Sequence, residues 1–472
     1  MRYIWIILSF IFMTALLGRA SAAPMSDFIN AEMAIAKAPG LSYSILQDGQ
    51  IMSYSYGEVL KGSRLPVTDE TLFPIGSISK SFTALAIMKL VEAGDIDLSA
   101  NISQYLDVFK DKPSGKITVR HLLSHTSGYS TKQGNNTQIS DRQSADALQR
   151  HVKQIAAWVP PHAPDTKWQY SNANYLILGA LIESVSGQSF ARYIETEILK
   201  PIGMEHSFVA NGEVLDNMAI GHHPWFGFKH PRKNNNTDRL TAPAGGIIST
   251  ASDLALYLAL MINETDDIIR AETKALMMQP AGPTAPFYGL GWYIDAPNET
   301  VYHSGLTPGV ETLAVLSQKQ KKAVVVLINS NSGMGYGSNA KLLYGISAKA
   351  LGLDFTPTQT NWGVRSIFLM FFCLPVFFLV ATLLAWFRPD RLQAKSGLSG
   401  AFSLWFPLPI ILVLAGVCIH LIPTLFGTSI RSLFPYQPDF SILLIATAVT
   451  GLAWVIVRLS LAYFPNVKSR SS

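Results

Sequence analysis

The serine and lysine within FPIGSISKSF, residues 73–82, have the spacing of a nucleophile and its base. Lys80 comes three positions after Ser77, so in a helix the two side chains share one face. At the start of a buried helix, free N–H groups and the helix dipole place partial positive charge beside Ser77, and desolvation drives Lys80 toward its neutral, proton-accepting form. The pair thus predicts a lysine-activated serine nucleophile, with simple helix capping by Ser77 as the alternative.

The surroundings of this pair distinguish it from a second pair with the same spacing, Ser338 and Lys341. The apolar stretch after Ser77, which contains FTALAIMKLVEAG, predicts a central buried helix, whereas the second pair follows the glycine-rich stretch GMGYG. The sequence contains no Gly-x-Ser-x-Gly, His-Glu-x-x-His, Cys-x-x-Cys or phosphate-loop motif. We therefore expect Ser77 to be the nucleophile and Lys80 its base, and we expect neither a metal nor a cofactor.

Apolar segments at the two ends of the chain predict export and a membrane anchor. Only 15% of the 472 residues are charged, and three segments near the C-terminus are long and apolar enough to span a hydrocarbon core. An apolar N-terminal stretch that leads to Ala20-Ser21-Ala22 is typical of a signal peptide. The predicted divisions are a signal peptide at 1–23, an exported domain at 24–355, a linker at 356–365, and transmembrane helices at 366–387, 403–426 and 440–462.

Basic residues around these spans predict their orientation. Three follow the first span and two follow the third: Arg388, Arg391, Lys395, Lys468 and Arg470. Because cytoplasmic loops are rich in lysine and arginine, the C-terminus should be cytoplasmic, and the exported domain should lie on the periplasmic or outer side of the inner or plasma membrane. The net charge of +5 reflects these flanks and a mixed surface, so the expected partner is the lipid bilayer and not nucleic acid. Cys373 and Cys418 lie in the apolar segments, which leaves the exported domain without thiols.

Strands are predicted near both ends of the exported domain. Leu41–Gln47 and Ile51–Gly57 flank the turn pair Asp48-Gly49. Four further strands are predicted late in the domain: Tyr288–Ile294, Thr300–His303, Thr312–Leu316 and Ala323–Asn329. Helices and long loops fill the middle, from about residue 118 to residue 263. This order predicts an α+β fold in which an antiparallel sheet, built from both ends and flanked by helices, is joined by an all-helical lobe and followed by three transmembrane α-helices.

The segment FPIGSISKSFTALAIMKLVEAGDIDL resembles the nucleophile segment of the serine β-lactamase and penicillin-binding-protein superfamily, in its class C and esterase-like branch. Four later stretches resemble the same branch in the same order, and the resemblance covers about residues 26–350: ITVRHLLSHTSGY, WQYSNANYLILGALIE, APAGGIISTASDL and VYHSGLTPGVET. Each motif alone is weak, but five in order are specific. The resemblance implies a β-lactamase/transpeptidase-like fold and an acyl-enzyme mechanism.

The resemblance also assigns roles to single residues. Ser77 would be acylated, Lys80 would accept its proton, and Tyr170 would be the phenolate-like general acid/base that passes the proton to the leaving group. Asn172 would hydrogen-bond both Lys80 and the substrate amide. The oxyanion hole would consist of the backbone N–H groups of Ser77 and Leu306.

The triplet His303-Ser304-Gly305 stands where the family carries Lys-Thr-Gly or His-x-Gly, and it would belong to the substrate and proton network. Lysine there is a permanent cation that suits a substrate carboxylate, whereas histidine, with an ordinary pKa of about 6.5, is mostly neutral at neutral pH. The triplet is therefore similar to that of D-aminopeptidases, D-amino-acid amidases and esterases, and classical β-lactamase or carboxypeptidase activity is not expected.

A hydrolase domain followed by three helices further resembles prodrug-activating peptidases, which remove an N-acyl-D-asparagine leader in the periplasm. The expected function is hydrolysis of an amide bond in a peptide or acylated, peptide-like metabolite that contains a D-residue. A carboxylesterase with the same machinery, and an antibiotic sensor that is acylated without turnover, stay open, as does the oligomeric state. We interpret His222, His223 and His230 as part of a solvated, aromatic-rich loop beside the cleft and not as metal ligands.

Overall fold

The computed structural model describes residues 25–136, 141–233, 238–355 and 362–464. These residues form a sheet with helices on both faces, followed by three long apolar helices. The predicted signal peptide, residues 1–23, lies outside the described residues, and so does the predicted linker up to residue 361.

A six-stranded antiparallel sheet joins the two ends of the domain formed by residues 25–355. The strands of the domain, in chain order, are β1 Gly40–Gln47, β2 Gln50–Gly57, β3 Phe73–Pro74, β4 Phe208–Val209, β5 His222–Trp225, β6 Phe228–Pro231, β7 Ile247–Ser249, β8 Tyr293–Asp295, β9 Thr300–Thr307, β10 Val310–Ser317 and β11 Lys322–Ile328. The order in the large sheet is β2-β1-β11-β10-β9-β8, so the first strand pairs with the last, with Leu41 opposite Ile328. Asp48 and Gly49 have φ angles of 52° and 74°, as a two-residue hairpin turn requires. The predicted sheet from both ends is confirmed.

Helices cover both faces of this sheet. One face packs against Met25–Ala36 and Ala340–Leu351, in a cluster that includes Ile29 and Ile346. The other face packs against Ala251–Ile262 and the helical lobe. Strand β11 lies between these two layers, and its residues from Ala323 to Ile328 are buried, which explains why its sequence is a continuous apolar run.

The helical lobe is built around Ser79–Glu92, which we call the nucleophile helix. Most of its residues are buried, as its apolar sequence predicts, and it packs against Asn172–Ser186 and the short helix Ala242–Gly245. The predicted all-helical lobe is confirmed. The other helices of the domain are Val119–Leu123, Thr131–Gly134, Ala147–Ala156, Phe190–Ile194, Lys200–Ile202 and Ala271–Met277.

Strands β5 and β6 form a β-hairpin where the sequence had suggested a solvated loop. Phe226 and Gly227, with φ angles of 46° and 91°, make the tight turn that allows the strands to pair. His222 is fully buried, with Nδ1 2.9 Å from the Asn329 oxygen and Nε2 accepting from the Lys61 N–H at 3.2 Å. The prediction of a solvated loop was therefore wrong at His222, because its ring is packed and hydrogen-bonded inside the domain.

Three helices are long and apolar enough to cross a membrane: Trp362–Phe387, Gly397–Leu425 and Pro438–Tyr463. We call them the first, second and third spans. The first and third spans pack against each other. The first span begins before the predicted start at residue 366, so the end of the predicted linker is helical, and the second begins before residue 403. Short helices at Asp390–Gln393 and Ile430–Leu433 lie in the two connections.

Candidate active site

Ser77 lies in a tight turn between β3 and the nucleophile helix. Residues Gly76–Ile78 form a single 3₁₀ turn, and the helix continues from Ser79. Gly76 has a φ of 58°, a left-handed conformation that glycine adopts without a steric penalty. The turn leaves Ser77 half-buried, whereas Lys80, one turn along, is fully buried.

The Lys80 amine faces the Ser77 hydroxyl. Its Nζ lies 3.0 Å from Ser77 Oγ and 2.6 Å from the backbone oxygen of Ala244. Both partners are uncharged, and burial lowers the pKa of Lys80 well below its usual value. A neutral amine in this position can donate to Ala244 and direct its lone pair at the Ser77 hydroxyl, which is the arrangement that a general base needs.

Tyr170 completes the group of three side chains. It lies just before the helix Asn172–Ser186, and Lys80 Nζ is 4.9 Å from the centre of its ring. Burial raises the pKa of Tyr170 well above its usual value, and a hydrogen bond with Ser77 opposes this only in part. The resting phenol is therefore protonated and not phenolate-like, so it can supply a proton to a leaving group.

Asn172 does not form a hydrogen bond with Lys80 in the described part of the chain. Its Nδ2 donates to Asn135 Oδ1 at 2.9 Å, while the described hydrogen bonds of Lys80 go to Ser77 and Ala244. The predicted hydrogen bond between Asn172 and Lys80 was therefore wrong. The cause is a partner from a distant segment, because Asn135 lies 37 residues before Asn172 in the chain.

Two glycines bring β9 against the nucleophile turn. A Cβ on Gly305 would lie 2.0 Å from the Ile75 oxygen, and one on Gly76 would lie 2.8 Å from the Leu306 nitrogen. Any side chain at either position would push the strand away from the turn. The close approach brings the backbone of Leu306 to the turn that carries Ser77, as an oxyanion hole from their two N–H groups requires, and that role stays a prediction.

His303 is buried behind these residues and is neutral. Its Nδ1 lies 2.8 Å from the Ser304 oxygen, so the hydrogen-bond pattern assigns the proton to Nδ1 and leaves Nε2 to accept from the Tyr288 hydroxyl at 3.4 Å. Burial, and secondarily a positive charge at Lys80, lower the pKa of His303 to about 3. The side chain therefore cannot offer a substrate carboxylate the cation that a lysine would supply.

His125 and Tyr288 are site residues that sequence reasoning missed. The His125 ring is fully buried, and its centre lies 4.4 Å from that of Tyr170 and 5.1 Å from that of Tyr288. Its Nδ1 accepts from the Ser171 N–H at 3.1 Å and from Asn174 Nδ2 at 3.0 Å. His125 thereby fixes the segment that carries Tyr170. Both hydrogen-bond donors lie more than 40 residues after His125 in the chain, so the stretch SHTSGY alone gave no signal of this role.

The domain formed by residues 25–355 matches one known protein family. A family model described as beta-lactamase matches residues 25–347, which is more than half of the chain. The chain belongs to the beta-lactamase family. The fold class that the five motifs implied, an antiparallel sheet with flanking helices and a helical lobe, is confirmed by this match and by the structure.

Relatives of this beta-lactamase-family chain include penicillin-binding proteins. Protein flp of Staphylococcus aureus (strain MRSA252) is 29% identical over 304 residues, which are 62% of this chain and 60% of that protein. Penicillin-binding protein 4* of Bacillus subtilis (strain 168) is 29% identical over 316 residues, 60% of this chain and 66% of that protein. The match thus spans about three fifths of these relatives' lengths. The octameric penicillin-binding protein homologue from Pyrococcus abyssi shares 32% identity and a TM-score of 0.60, covering 70% of this chain and 77% of that one.

The other candidate residues of this beta-lactamase-family chain lie away from Ser77. Lys341 forms an ion pair with Glu32 at 3.4 Å, and the Ser338 hydroxyl accepts a hydrogen bond from the Ala340 N–H. The contacts of this second serine–lysine pair therefore stabilise the start of the helix Ala340–Leu351. Within the described ranges, no three His, Cys, Asp or Glu side chains cluster as metal ligands. The expectation that no metal or cofactor is needed stays a prediction.

Proposed function

We propose that this protein is a membrane-anchored serine hydrolase that forms an acyl-enzyme on Ser77 and hydrolyses an amide bond in a peptide or peptide-like metabolite. The observation that carries the proposal is the 3.0 Å contact between Ser77 Oγ and the fully buried Lys80 Nζ, whose hydrogen-bond partners are uncharged. Membership of the beta-lactamase family supports hydrolase chemistry.

In the proposed acylation step, Ser77 Oγ forms a bond to the substrate carbonyl carbon and its proton passes to Lys80 Nζ. The carbonyl oxygen becomes an oxyanion beside the N–H groups of Ser77 and Leu306. The C–N bond then breaks, the departing amine takes the phenol proton of Tyr170, and the Lys80 ammonium returns a proton to Tyr170. In deacylation, water adds to the acyl carbon and gives a proton to Lys80. The ester bond to Ser77 then breaks, and the Lys80 ammonium returns that proton to Ser77 Oγ, which restores the serine hydroxyl and the neutral amine.

An amide substrate is favoured over an ester by the state of Tyr170. An amine leaves only when it is protonated, and the raised pKa of Tyr170 keeps a proton available for that step. The neutral state of His303 disfavours a substrate whose recognition needs a cation, such as a peptide with a free α-carboxylate. The D-residue in the proposed substrate rests on the resemblance of His303-Ser304-Gly305 to the D-specific members of the family.

Covalent labelling of the full-length protein in detergent tests the nucleophile. A small fluorophosphonate should form a bond between phosphorus and Ser77 Oγ with release of fluoride, and the Ser77→Ala variant should lose the label. The matched control is Ser338→Ala, which changes the serine of the second serine–lysine pair and should label like the wild type. Equal labelling of Ser77→Ala and the wild type would refute the assignment.

Turnover then separates the amidase from its two alternatives. The substrates are matched amides and esters that share one N-acyl amino acid, prepared in the D and L configurations. Faster release of product from the D-amide would support the proposal, and hydrolysis of the esters alone would identify a carboxylesterase. A stable adduct on Ser77 with no product release from any substrate would identify a sensor.

The proposed location is the periplasmic or outer side of the inner or plasma membrane, with a cytoplasmic C-terminus. The connection between the second and third spans contacts the catalytic domain, for example through Gln437 Nε2 and the Ser332 oxygen at 2.7 Å. The basic connection before the second span lies at the opposite end, where Gln393 Nε2 donates to the Leu461 oxygen at 3.1 Å. Protease added to spheroplasts should digest the catalytic domain and spare a C-terminal tag, and the reverse pattern would refute this orientation.

A further inference from the structure

The connection between the second and third spans is held to the catalytic domain at both of its ends. We call residues 426–437 the membrane hairpin. At its start, Asn135 Nδ2 donates to the Gly427 oxygen at 3.0 Å, and a Cβ on Gly427 would lie 2.8 Å from Thr131 Cγ2. Gly427 also has a φ of 64°, so the position favours glycine for two independent reasons. The start of the hairpin is therefore seated closely on the helical lobe.

The other end of the membrane hairpin is seated on the sheet side of the domain. Gln437 Nε2 donates to the Ser332 oxygen at 2.7 Å. Asp439, the second residue of the third span, is fully buried, and its carboxylate accepts hydrogen bonds from the Phe226 N–H at 3.0 Å and from the Tyr336 hydroxyl. A carboxylate at the start of an apolar span is stable only with such donors, so these contacts fix the position of the hairpin.

The first of these contacts leads directly to the active site. Asn135 uses its Nδ2 to hold Gly427, and its Oδ1 accepts from Asn172 Nδ2 at 2.9 Å. Asn172 lies two residues after Tyr170 and is the first residue of the helix Asn172–Ser186. Two hydrogen bonds thus connect the membrane hairpin to the segment that positions the proposed proton donor.

Tyr436 lies near the end of the membrane hairpin, one residue before Gln437, which is held at the Ser332 oxygen. The neighbouring Asn331 accepts from the Gly309 N–H in the β9–β10 turn, so this end of the hairpin lies beside that turn. Repulsion between the ionised forms of Tyr436 and Tyr170 is the smallest contribution to the raised pKa of Tyr170, after burial and the tyrosines Tyr293 and Tyr175. Burial raises the pKa of Tyr436, and the positive charges of Arg232 and Arg142 oppose this in part. Arg232 packs beside the β9–β10 turn, since a Cβ on Gly309 would lie 2.8 Å from its Cδ, and Arg142 forms an ion pair with Asp238 at 2.6 Å.

We propose that the membrane hairpin is the outer wall of the substrate cleft and that Tyr436 determines the size of the substrate group that fits beside Ser77. This inference rests on the proposed function. The membrane segment would then be part of the binding site and not only an anchor, because the hairpin is held to the helical lobe at Asn135 and beside the β9–β10 turn at Ser332.

Labelling with two fluorophosphonates of different size tests this wall in the full-length protein. One probe carries only an ethyl group on phosphorus, and the other carries a polycyclic aromatic group close to phosphorus. The measured quantity is the ratio of the two second-order labelling rate constants. Truncating the phenol in Tyr436→Ala should raise the rate of the bulky probe relative to the ethyl probe by about tenfold, the size typical of a pocket contact.

The outcomes separate the wall from the nucleophile. A ratio in Tyr436→Ala that stays within about twofold of the wild-type ratio, while the ethyl probe still labels Ser77, would overturn the wall and leave the proposed function standing. Failure of the ethyl probe to label the wild type would instead overturn the proposed function. The control Phe434→Ala, at an exposed position of the same hairpin, should keep the wild-type ratio.

A pair of glycine variants tests whether the effect of the membrane hairpin on substrate size depends on its close contact with the helical lobe at Gly427. Gly427→Val introduces both a contact with Thr131 and an unfavourable φ, and it should shift the probe ratio in the same direction as Tyr436→Ala. Gly397→Val is the matched control, since Gly397 has a φ of 69° but a Cβ there would have nothing within 4 Å. Equal ratios in the two glycine variants would overturn the role of this contact.

Discussion

Replacing Lys80 with methionine should stabilise the protein near neutral pH, and the gain should shrink as the pH rises. Lys80 is fully buried, so folding removes its amine from water and lowers its pKa, whereas the unfolded chain keeps the ordinary value of about 10.4. Between the two values the unfolded state binds a proton that the folded state does not, so the free energy of unfolding of the wild type rises with pH. Methionine fills a similar volume and does not bind a proton, so this residue would contribute no pH dependence to the stability of Lys80→Met.

The size of the effect follows from proton linkage. Within the interval between the folded and unfolded pKa values, a difference of one bound proton changes the free energy of unfolding by about 1.4 kcal/mol per pH unit. From about pH 8 to about pH 10, the free energy of unfolding of the wild type should therefore rise by roughly 2–3 kcal/mol relative to that of Lys80→Met. At roughly 2–4 °C per kcal/mol, the gap between the two Tm values should narrow by several degrees.

The assay is thermal unfolding of the full-length protein in detergent, followed by tryptophan fluorescence at one scan rate over this pH range. Lys341→Met is the control, because Lys341 is partly exposed and pairs with Glu32, and its Tm difference from the wild type should change little. A constant Tm difference between Lys80→Met and the wild type would refute the reasoning. Lys80 would then be charged in the folded protein, and it could not act as the resting base.

Three further predictions concern the rest of the site. Gly305→Ala should slow labelling of Ser77 by about 10²–10³-fold, because the added Cβ would displace β9 from the nucleophile turn. The control Gly282→Ala, whose Cβ would have nothing within 4 Å, should label at the wild-type rate. Equal labelling rates in the two variants would contradict the proposed oxyanion hole. A free α-carboxylate on the substrate should not raise kcat/KM, because His303 is neutral, and a large gain would show that a cation binds it. His125→Phe should lower the free energy of unfolding by roughly 1–3 kcal/mol, measured by denaturant titration, because it leaves buried donors unpaired; an unchanged midpoint would argue against this role.

The sequence predicted the parts of the site that depend on local spacing. A serine at a turn and a lysine one helical turn later are close in any helix, so the contact between Ser77 and Lys80 followed from their positions. The sheet from both ends followed from the order of apolar strands, and the confirmed family follows from motifs in order.

The parts that depend on packing between distant segments could not be predicted in this way. Asn172 was assigned to Lys80, but its orientation depends on a partner, Asn135, from another loop. His125 receives hydrogen bonds from a segment more than 40 residues away, and nothing in its own neighbourhood in the sequence indicates them. The docking of the membrane hairpin at Gly427 is more distant still, because apolar spans predict a crossing and not what their connections touch.

Loss of water acts on the two titrating groups of the site in opposite directions. It lowers the pKa of Lys80 and raises that of Tyr170, because in each case the charged form loses its hydration, and the result is an amine with a free lone pair beside a phenol that keeps its proton. If water entered the site at neutral pH, the Lys80 amine would take up a proton, whereas the Tyr170 phenol would stay protonated. The base is therefore the group that depends on what covers the cleft. If the membrane hairpin is that cover, variants that unseat it should move the acid limb of the labelling rate of Ser77 to higher pH, an effect that a change in pocket size alone does not produce.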